Sequence, residues 1–188
     1  MNHNDYFNYL KTRSNFGFLY RKYFLYPILD FFLKKPCLDV GCGLGDFLKM
    51  SKKCKDGLEI NNYLLEYCKI NHLKVDKIEN EKFPSKDNSF SSVILDNVLE
   101  HISEPKSLLK EIERVLAPKS IFIIGVPGKK GYESDDDHKI FYNDKNIYSL
   151  IENYNFKRIK LLRMPIPLKF LENNLNIFCN YYIFEKIQ

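Results

Sequence analysis

The chain contains no Cys-x-x-Cys pair, no Gly-Lys-Ser or Gly-Lys-Thr, and no charge-free apolar run long enough to cross a bilayer. Each absence removes a class of protein. Five cysteines, Cys37, Cys42, Cys54, Cys68 and Cys179, leave an odd count, and two of them sit in one predicted strand and turn where a bridge would be awkward. Reduced thiols in a cytoplasmic protein are therefore expected. Without Gly-Lys-Ser/Thr there is no P-loop to cradle a phosphate chain. The apolar, aromatic stretch from Phe16 to Leu33 is interrupted by Arg21, Lys22 and Asp30, which argues against a membrane span. Aromatics this dense leave peripheral membrane contact through residues 16–33 as a competing reading. The N-terminus has neither a basic n-region nor a small-residue cleavage site, so no signal peptide is expected.

Other absences concern organisation. No internal repeat or low-complexity linker divides the 188 residues, so one domain is expected over 1–188. Residues 1–34 read as a helical arm or lid and 35–188 as the core. A composition of 45% hydrophobic and 28% charged residues is that of a globular chain able to bury a sizeable core. The net charge of +5 is mild, with lysines scattered among acids, so no nucleic-acid partner is expected. Oligomeric state leaves no trace in the sequence.

What the chain does contain is a glycine-rich junction at residues 36–46. Leu38 and Val40 suit a buried parallel strand, and Asp39 precedes Gly41, Gly43 and Gly45. Asp46 opens a predicted helix, so the glycines lie where a strand hands over to a helix N-terminus, the place where open α/β sheets bind nucleotides. A dinucleotide fingerprint, G-x-G-x-x-G/A, would require a small residue at position 46, where Asp46 stands. An acid there repels a pyrophosphate and tolerates a ligand carrying an ammonium.

Strands are predicted near 36–41, 56–60, 75–79, 91–97, 120–126, 157–163 and 178–186. Helices are predicted near 45–53, 62–72, 105–116 and 143–154, with Pro27 opening a helix within the arm. Strand–helix alternation through residue 126 implies right-handed crossovers and a parallel sheet. The last two apolar runs lack a helix between them and read as antiparallel.

The segment Asp39–Gly45 resembles the first motif, hh[D/E]hGxGxG, of the class I S-adenosylmethionine-dependent methyltransferases. The resemblance, to their small-molecule, type 11-like branch, continues in order over about ninety residues. Asp56–Ile60 resembles the second strand, and residues 79–90 resemble the stretch D-A-x-x-L-P-F-x-D-x-S-F-D. Val93–Ile102 resembles the fourth strand and its turn, and residues 108–127 the helix and fifth strand that follow. The resemblance implies an α/β, Rossmann-like fold: a mostly parallel seven-stranded sheet of order 3-2-1-4-5-7-6, last strand antiparallel, flanked by helices. It also implies an enzyme that uses S-adenosyl-L-methionine and releases S-adenosyl-L-homocysteine. Three departures stand out: Ser91 for Asp, residues 117–120 for L-x-P-G-G, and Asn155 for a helix-ending Gly whose left-handed cap Asn can supply.

Site residues follow from the same resemblance. Gly41, Cys42, Gly43 and Gly45 pass under the methionine and ribose portions. Asp39 anchors the ammonium, fixes the loop's own N–H groups, or both. Glu59 accepts the two ribose hydroxyls, or is an ordinary helix-start acid, and Ile60 lies against adenine. Glu79 and Asn80 match the residues that meet the adenine amino group and ring, although a one-residue slip promotes Glu81. Asp96 and Asn97 lie beneath the methionine portion, with capping of the next turn as an alternative for Asn97.

Methyl transfer from a sulfonium needs mostly proximity, alignment and an acceptor able to lose its proton. His101, from the family's L-x-H stretch, and His138, in a segment resembling H-x-x-F/Y of glycan and quinone methyltransferases, are the two candidate general bases. Each could equally be a packed or solvated histidine. The acidic run Asp135, Asp136, Asp137 could attract Mg²⁺, but consecutive aspartates cannot all face one ion, so no metal is expected. The pattern [D/N]-P-P-[F/Y/W] of amide and exocyclic-amine methylation is absent after strand four. A small-molecule acceptor is therefore expected, first a sugar or other intermediate of glycan synthesis. A lipid or quinone acceptor and a non-catalytic cofactor-binding scaffold are the alternatives.

Overall fold

The computed structural model describes residues 2–12 and 15–188; of the predicted arm, Met1, Arg13 and Ser14 lie outside these. The arm is helical. Helix α1 spans His3–Lys11, with Asn2 as its cap accepting the Asp5 N–H at 2.9 Å. Helix α2 (Asn15–Tyr20) runs through a π-helical segment, Arg21–Leu25, into α3 (Tyr26–Phe32), where Pro27 occupies the first turn that needs no N–H.

The core alternates as β1 (Cys37–Val40), α4 (Asp46–Met50), β2 (Cys54–Glu59), α5 (Asn62–Ile70), β3 (Lys74–Lys77), β4 (Phe90–Asp96), a 3₁₀ turn (Leu99–His101), α6 (Lys106–Val115) and β5 (Leu116–Pro127). It ends with α7 (Lys129–Tyr132), α8 (Asp144–Ile151), β6 (Phe156–Met164), a 3₁₀ turn (Lys169–Asn173) and β7 (Cys179–Lys186). The seven strands form one sheet in the order β3-β2-β1-β4-β5-β7-β6. The first five pair in parallel, and β7 enters antiparallel between β5 and β6. This is the expected fold. Among solvent-free strands, β1, β4 and β5 are apolar on both faces because both are covered. One face packs Val93, Leu95, Phe122 and Ile124 against Leu109, Ile112 and Val115 of α6 and Ile147 of α8. The other packs Ile94, Ile123 and Tyr181 against Leu25, Leu29 and Leu33 of the arm and Phe47 of α4.

Three departures from the pattern have a specific cause, beside shifts of one to three residues at other ends such as that of α8, which stops at Ile151. Helix α4 stops at Met50 rather than 53, because the Ser51 hydroxyl accepts the N–H groups of Lys53 (3.0 Å) and Cys54 (2.7 Å) and turns the chain into β2 two residues early. Strand β5 starts directly at Leu116 rather than 120. The turn glycines absent here are replaced by Lys119, which itself takes φ +59°. Asn155 does not form the expected left-handed cap. Its N–H (2.9 Å) and Nδ2 (2.8 Å) donate to Glu113 Oε1 instead, tying the end of α8 to α6.

Arg114 of α6 pins the long connection before β4. It donates to Asp87 Oδ1 (2.6 Å), to Glu111 Oε2 (2.7 Å) and to the carbonyls of Ser85 and Phe83. The neighbouring guanidinium holds the Glu111 carboxyl below its ordinary range. Ser91 therefore lacks a carboxylate that this connection does not need.

Candidate active site

The loop after β1 is a tight coil whose shape favours glycine. Gly41, Gly43 and Gly45 all take left-handed φ, +73°, +56° and +68°. The N–H groups of Gly41 (2.8 Å) and Cys42 (3.1 Å) both donate to the Leu58 carbonyl, and Gly45 donates to the Cys42 carbonyl at 2.9 Å. The loop is thus folded back onto the end of β2. A Cβ at Gly41 would stand 2.5 Å from Val98 Cγ2, a stiff β-branched side chain, whereas at Gly43 the nearest atom is Leu10 Cδ1 at 3.5 Å. Gly41→Ala is therefore expected to cost about 1–3 kcal/mol of backbone strain plus displacement of Val98, and Gly43→Ala the strain alone. Thermal melts should show the larger fall for Gly41→Ala; equal falls would contradict the steric account.

Glu59 ends β2 and is buried. Its Oε2 accepts the Gly43 N–H at 3.0 Å, and its Oε1 accepts the N–H groups of Ile60 (2.8 Å) and Asn61 (3.0 Å). A carboxylate offers roughly four lone-pair sites, so about one remains for a ligand hydroxyl in this geometry. Helix α5 is capped by Asn61 rather than by Glu59, the Asn61 side chain accepting the Tyr63 N–H at 3.0 Å.

Around the loop the field is negative. Asp39 is buried, and burial first, then Asp96 and Glu59, push its carboxyl well above the ordinary range. Asp96 accepts the Tyr181 hydroxyl at 2.9 Å and Asn97 Nδ2 at 2.8 Å. Arg21, reaching in from the π-helical segment, lines the same space, and its charged form is favoured by Tyr26 and Asp96 despite burial. Four acidic side chains, Asp39, Asp46, Glu59 and Asp96, and one guanidinium suit a ligand of net positive charge and repel a pyrophosphate.

Three connected cavities open here. A small one of about 70 Å³ lies between Asp39, Gly41, Cys42, Gly43 and Asp96. A second of about 360 Å³ is lined by Gly41, Glu59, Ile60, Ile78, Val98 and Leu108. A third of about 570 Å³ is lined by Tyr9, Phe18, Glu100, His138, Ile177 and Tyr181. Tyr6 and Asn97 border all three, and His101 borders the two larger ones. Helix α1 closes this junction from above. His3 O accepts Asn61 Nδ2 at 2.8 Å, Tyr6 meets the His101 ring edge-on with centroids 6.2 Å apart, and Phe7 stacks on Tyr63 at 6.3 Å.

The structure gathers most of the expected residues here. Asn97 takes φ +54° and faces the junction rather than capping the next turn. Ile60 is 57% exposed at the rim of the second cavity. Glu79 and Asn80 are exposed in a turn closed by a Glu79–Lys82 bridge, and they line none of the three cavities; Ile78 does. His101 and His138 lie together, ring centroids 4.7 Å apart. Burial, with His138 second, holds the His101 imidazole below its ordinary value and so neutral at pH 7. Sequence reasoning missed Tyr6, Arg21, Glu100 and Tyr181. Only Glu100 carried a signal, as the neighbour of His101; the others reach the site through packing of distant segments.

A family model described as a methyltransferase domain matches residues 38–124. The chain is 31% identical over 160 residues to one uncharacterized protein of Methanocaldococcus jannaschii, covering 76% of this chain and 66% of that one. It is 30% identical over 134 residues to a second uncharacterized protein of that organism, covering 65% of each. The chain thus spans just under two thirds of the length of these relatives. Among solved structures, a SAM-dependent methyltransferase of Thermotoga maritima, described as a possible histamine N-methyltransferase, superposes with a TM-score of 0.77 at 17% identity over 98% of both chains. The matched domain model, the strand order and the glycine loop agree: residues 38–124 match a methyltransferase domain, and the chain has the fold of solved SAM-dependent methyltransferases.

Proposed function

We propose that the protein methylates an oxygen of a small hydroxyl-bearing acceptor, with sugars and other glycan-synthesis intermediates as the first class to test. The observation that carries this reading is the meeting of two cavities at Tyr6, Asn97 and His101. One is bounded by the family's cofactor residues and the other is a wider space with a polar, aromatic lining. The residues fit S-adenosylmethionine: Glu59 for the ribose, Ile60 and Ile78 beside the base, and Asp39 with the glycine loop for the ammonium end. When bound, the cofactor supplies a methyl group already activated by positive sulfur.

The chain's own residues then have three tasks. The glycine loop and Glu59 fix the donor's position, which supplies much of the acceleration through alignment. Helix α1, with Tyr6 and buried Leu10, keeps water from the junction. The proton of the acceptor hydroxyl is lost at the cluster of His101 and His138, where neutral imidazole is available.

A second reading, a lipid or quinone acceptor, is favoured by the aromatic surface of the arm. Phe16 is 72%, Phe24 63% and Phe31 76% exposed, with Leu19 and Tyr23 between them. Among the described residues no helix is long and apolar enough to cross a membrane, so such contact would be peripheral. A panel of sugars, nucleotide sugars, quinols and amines with labelled methyl donor separates the readings. Label in a hydroxyl-bearing water-soluble acceptor is the expected result. Transfer only to amines overturns it, and binding of donor without transfer to any acceptor supports a scaffold role.

A further inference from the structure

We propose that Glu100, His101 and His138 form a binding site for a divalent transition-metal ion of the zinc class, with its open positions facing the acceptor cavity. A carboxylate oxygen of Glu100 and one ring nitrogen of each histidine lie within 4.8 Å of one another. Glu100 Oε1 is 3.8 Å from His138 Nε2. Ligand bonds of about 2.0–2.1 Å in a tetrahedral site place donors roughly 3.4 Å apart, so the side chains need to close by about 1 Å.

The surroundings are those of a ligand set held in place. His138 donates its Nδ1–H to the Tyr132 carbonyl at 2.8 Å, which leaves the lone pair on Nε2, the nitrogen facing Glu100. Its ring also stacks on Tyr132, centroids 5.4 Å apart at 13°. His101 Nδ1 lies 3.4 Å from Asp137 Oδ2. The Tyr132 carbonyl fixes the His138 ring in the way metal-ligating imidazoles are oriented, through the other ring nitrogen. Backbone pairing brings the two segments together: the Glu100 carbonyl accepts the N–H groups of Lys139 (2.8 Å) and Ile140 (3.1 Å), setting His138 against the 3₁₀ turn. Glu100 itself is fully buried at the wall of the third cavity.

The donor set decides the kind of ion. Two imidazoles and one carboxylate suit Zn²⁺, Fe²⁺ or Ni²⁺, whereas Mg²⁺ and Ca²⁺ take oxygen ligands. Three protein ligands leave a position for an exogenous oxygen, as in catalytic zinc sites. An acceptor hydroxyl bound there ionises more readily, and with both imidazoles engaged as ligands its proton passes to solvent, so the ion takes over the role a free histidine base has in the metal-free site. The oxygen then forms its bond to the methyl carbon as the carbon–sulfur bond breaks, leaving neutral S-adenosylhomocysteine. This use of the site rests on the methyl-transfer reading; the site itself does not.

The test is calorimetric titration of the full chain with Zn²⁺ and with Mg²⁺, alongside Co²⁺ titration followed by ligand-field absorption. Wild type should bind about one Zn²⁺ per chain, give a four- or five-coordinate Co²⁺ spectrum, and prefer Zn²⁺ to Mg²⁺ strongly. Glu100→Gln and His138→Ala should each weaken Zn²⁺ by about 100-fold or more while S-adenosylhomocysteine affinity, which reports the intact fold, stays as in wild type. Absence of Zn²⁺ binding by wild type, an octahedral Co²⁺ spectrum, or undiminished Zn²⁺ binding in Glu100→Gln overturns the site. Zn²⁺ binding that depends on these residues in a protein with no transfer activity would uphold the site and overturn the methyl-transfer reading alone.

Discussion

Replacing Glu59 with alanine is expected to abolish measurable S-adenosylhomocysteine binding and to lower thermal stability together. The carboxylate accepts three backbone N–H groups, from Gly43, Ile60 and Asn61, and so ties the glycine loop to the end of β2. Leaving buried backbone N–H groups without their acceptor costs about 1–3 kcal/mol each. For a chain of this size these losses together are a fall on the order of 10 °C in melting temperature. Alanine alone cannot separate ligand contact from loop support, whereas Glu59→Gln can. Its amide oxygen still accepts from Ile60 and Asn61, but its NH₂ cannot accept from Gly43 or from a hydroxyl. Glu59→Gln should melt within a few degrees of wild type and bind S-adenosylhomocysteine about 10- to 100-fold more weakly, the range of a hydrogen bond to a charged group. Calorimetry showing wild-type affinity in Glu59→Gln would remove Glu59 from the ribose site.

Asp39→Asn should move stability and binding in opposite directions. Burial and the nearby Asp96 and Glu59 raise the Asp39 carboxyl above its ordinary range in the folded protein. Below the unfolded value of about 4 it is protonated in both states and its contribution is fully present. As pH rises through the raised folded value, ionisation in a desolvated, negatively charged pocket becomes unfavourable and that contribution is lost. Asparagine imitates the protonated form at every pH. The unliganded variant should therefore melt higher than wild type at pH 7–8, with the gap closing toward pH 4. Binding of S-adenosylhomocysteine should weaken, because its ammonium loses a carboxyl that it could hold in the ionised form. Melting curves across pH, with and without ligand, check both halves. A variant less stable than wild type at pH 7 would mean that Asp39 mainly supports the loop.

Asp39, Gly41, Gly43, Gly45 and Glu59 were legible from sequence because the chemistry there is local. Left-handed φ at three closely spaced positions favours glycine, and a carboxylate ending an apolar strand needs a reason to be buried. Strand order was legible by resemblance. The end of α4 was not, because the Ser51 hydroxyl outcompetes the helix only when Lys53 and Cys54 are already turning into β2. Lys119 in a left-handed turn and Asn155 bonded to Glu113 are likewise settled by neighbours far along the chain.

The sequence by itself determined the sheet's alternation and the glycine loop, since both are written in runs of adjacent residues with a fixed period or a favoured backbone angle. Only the tertiary structure decided what lines the largest of the three cavities. Tyr6 arrives on α1, Arg21 on the π-helical segment, Glu100 after β4, His138 after β5 and Tyr181 on β7, brought together by strand crossovers and helix packing. Contacts between residues so far apart in the chain carry no periodic signal. Their meeting follows from burying both faces of one sheet.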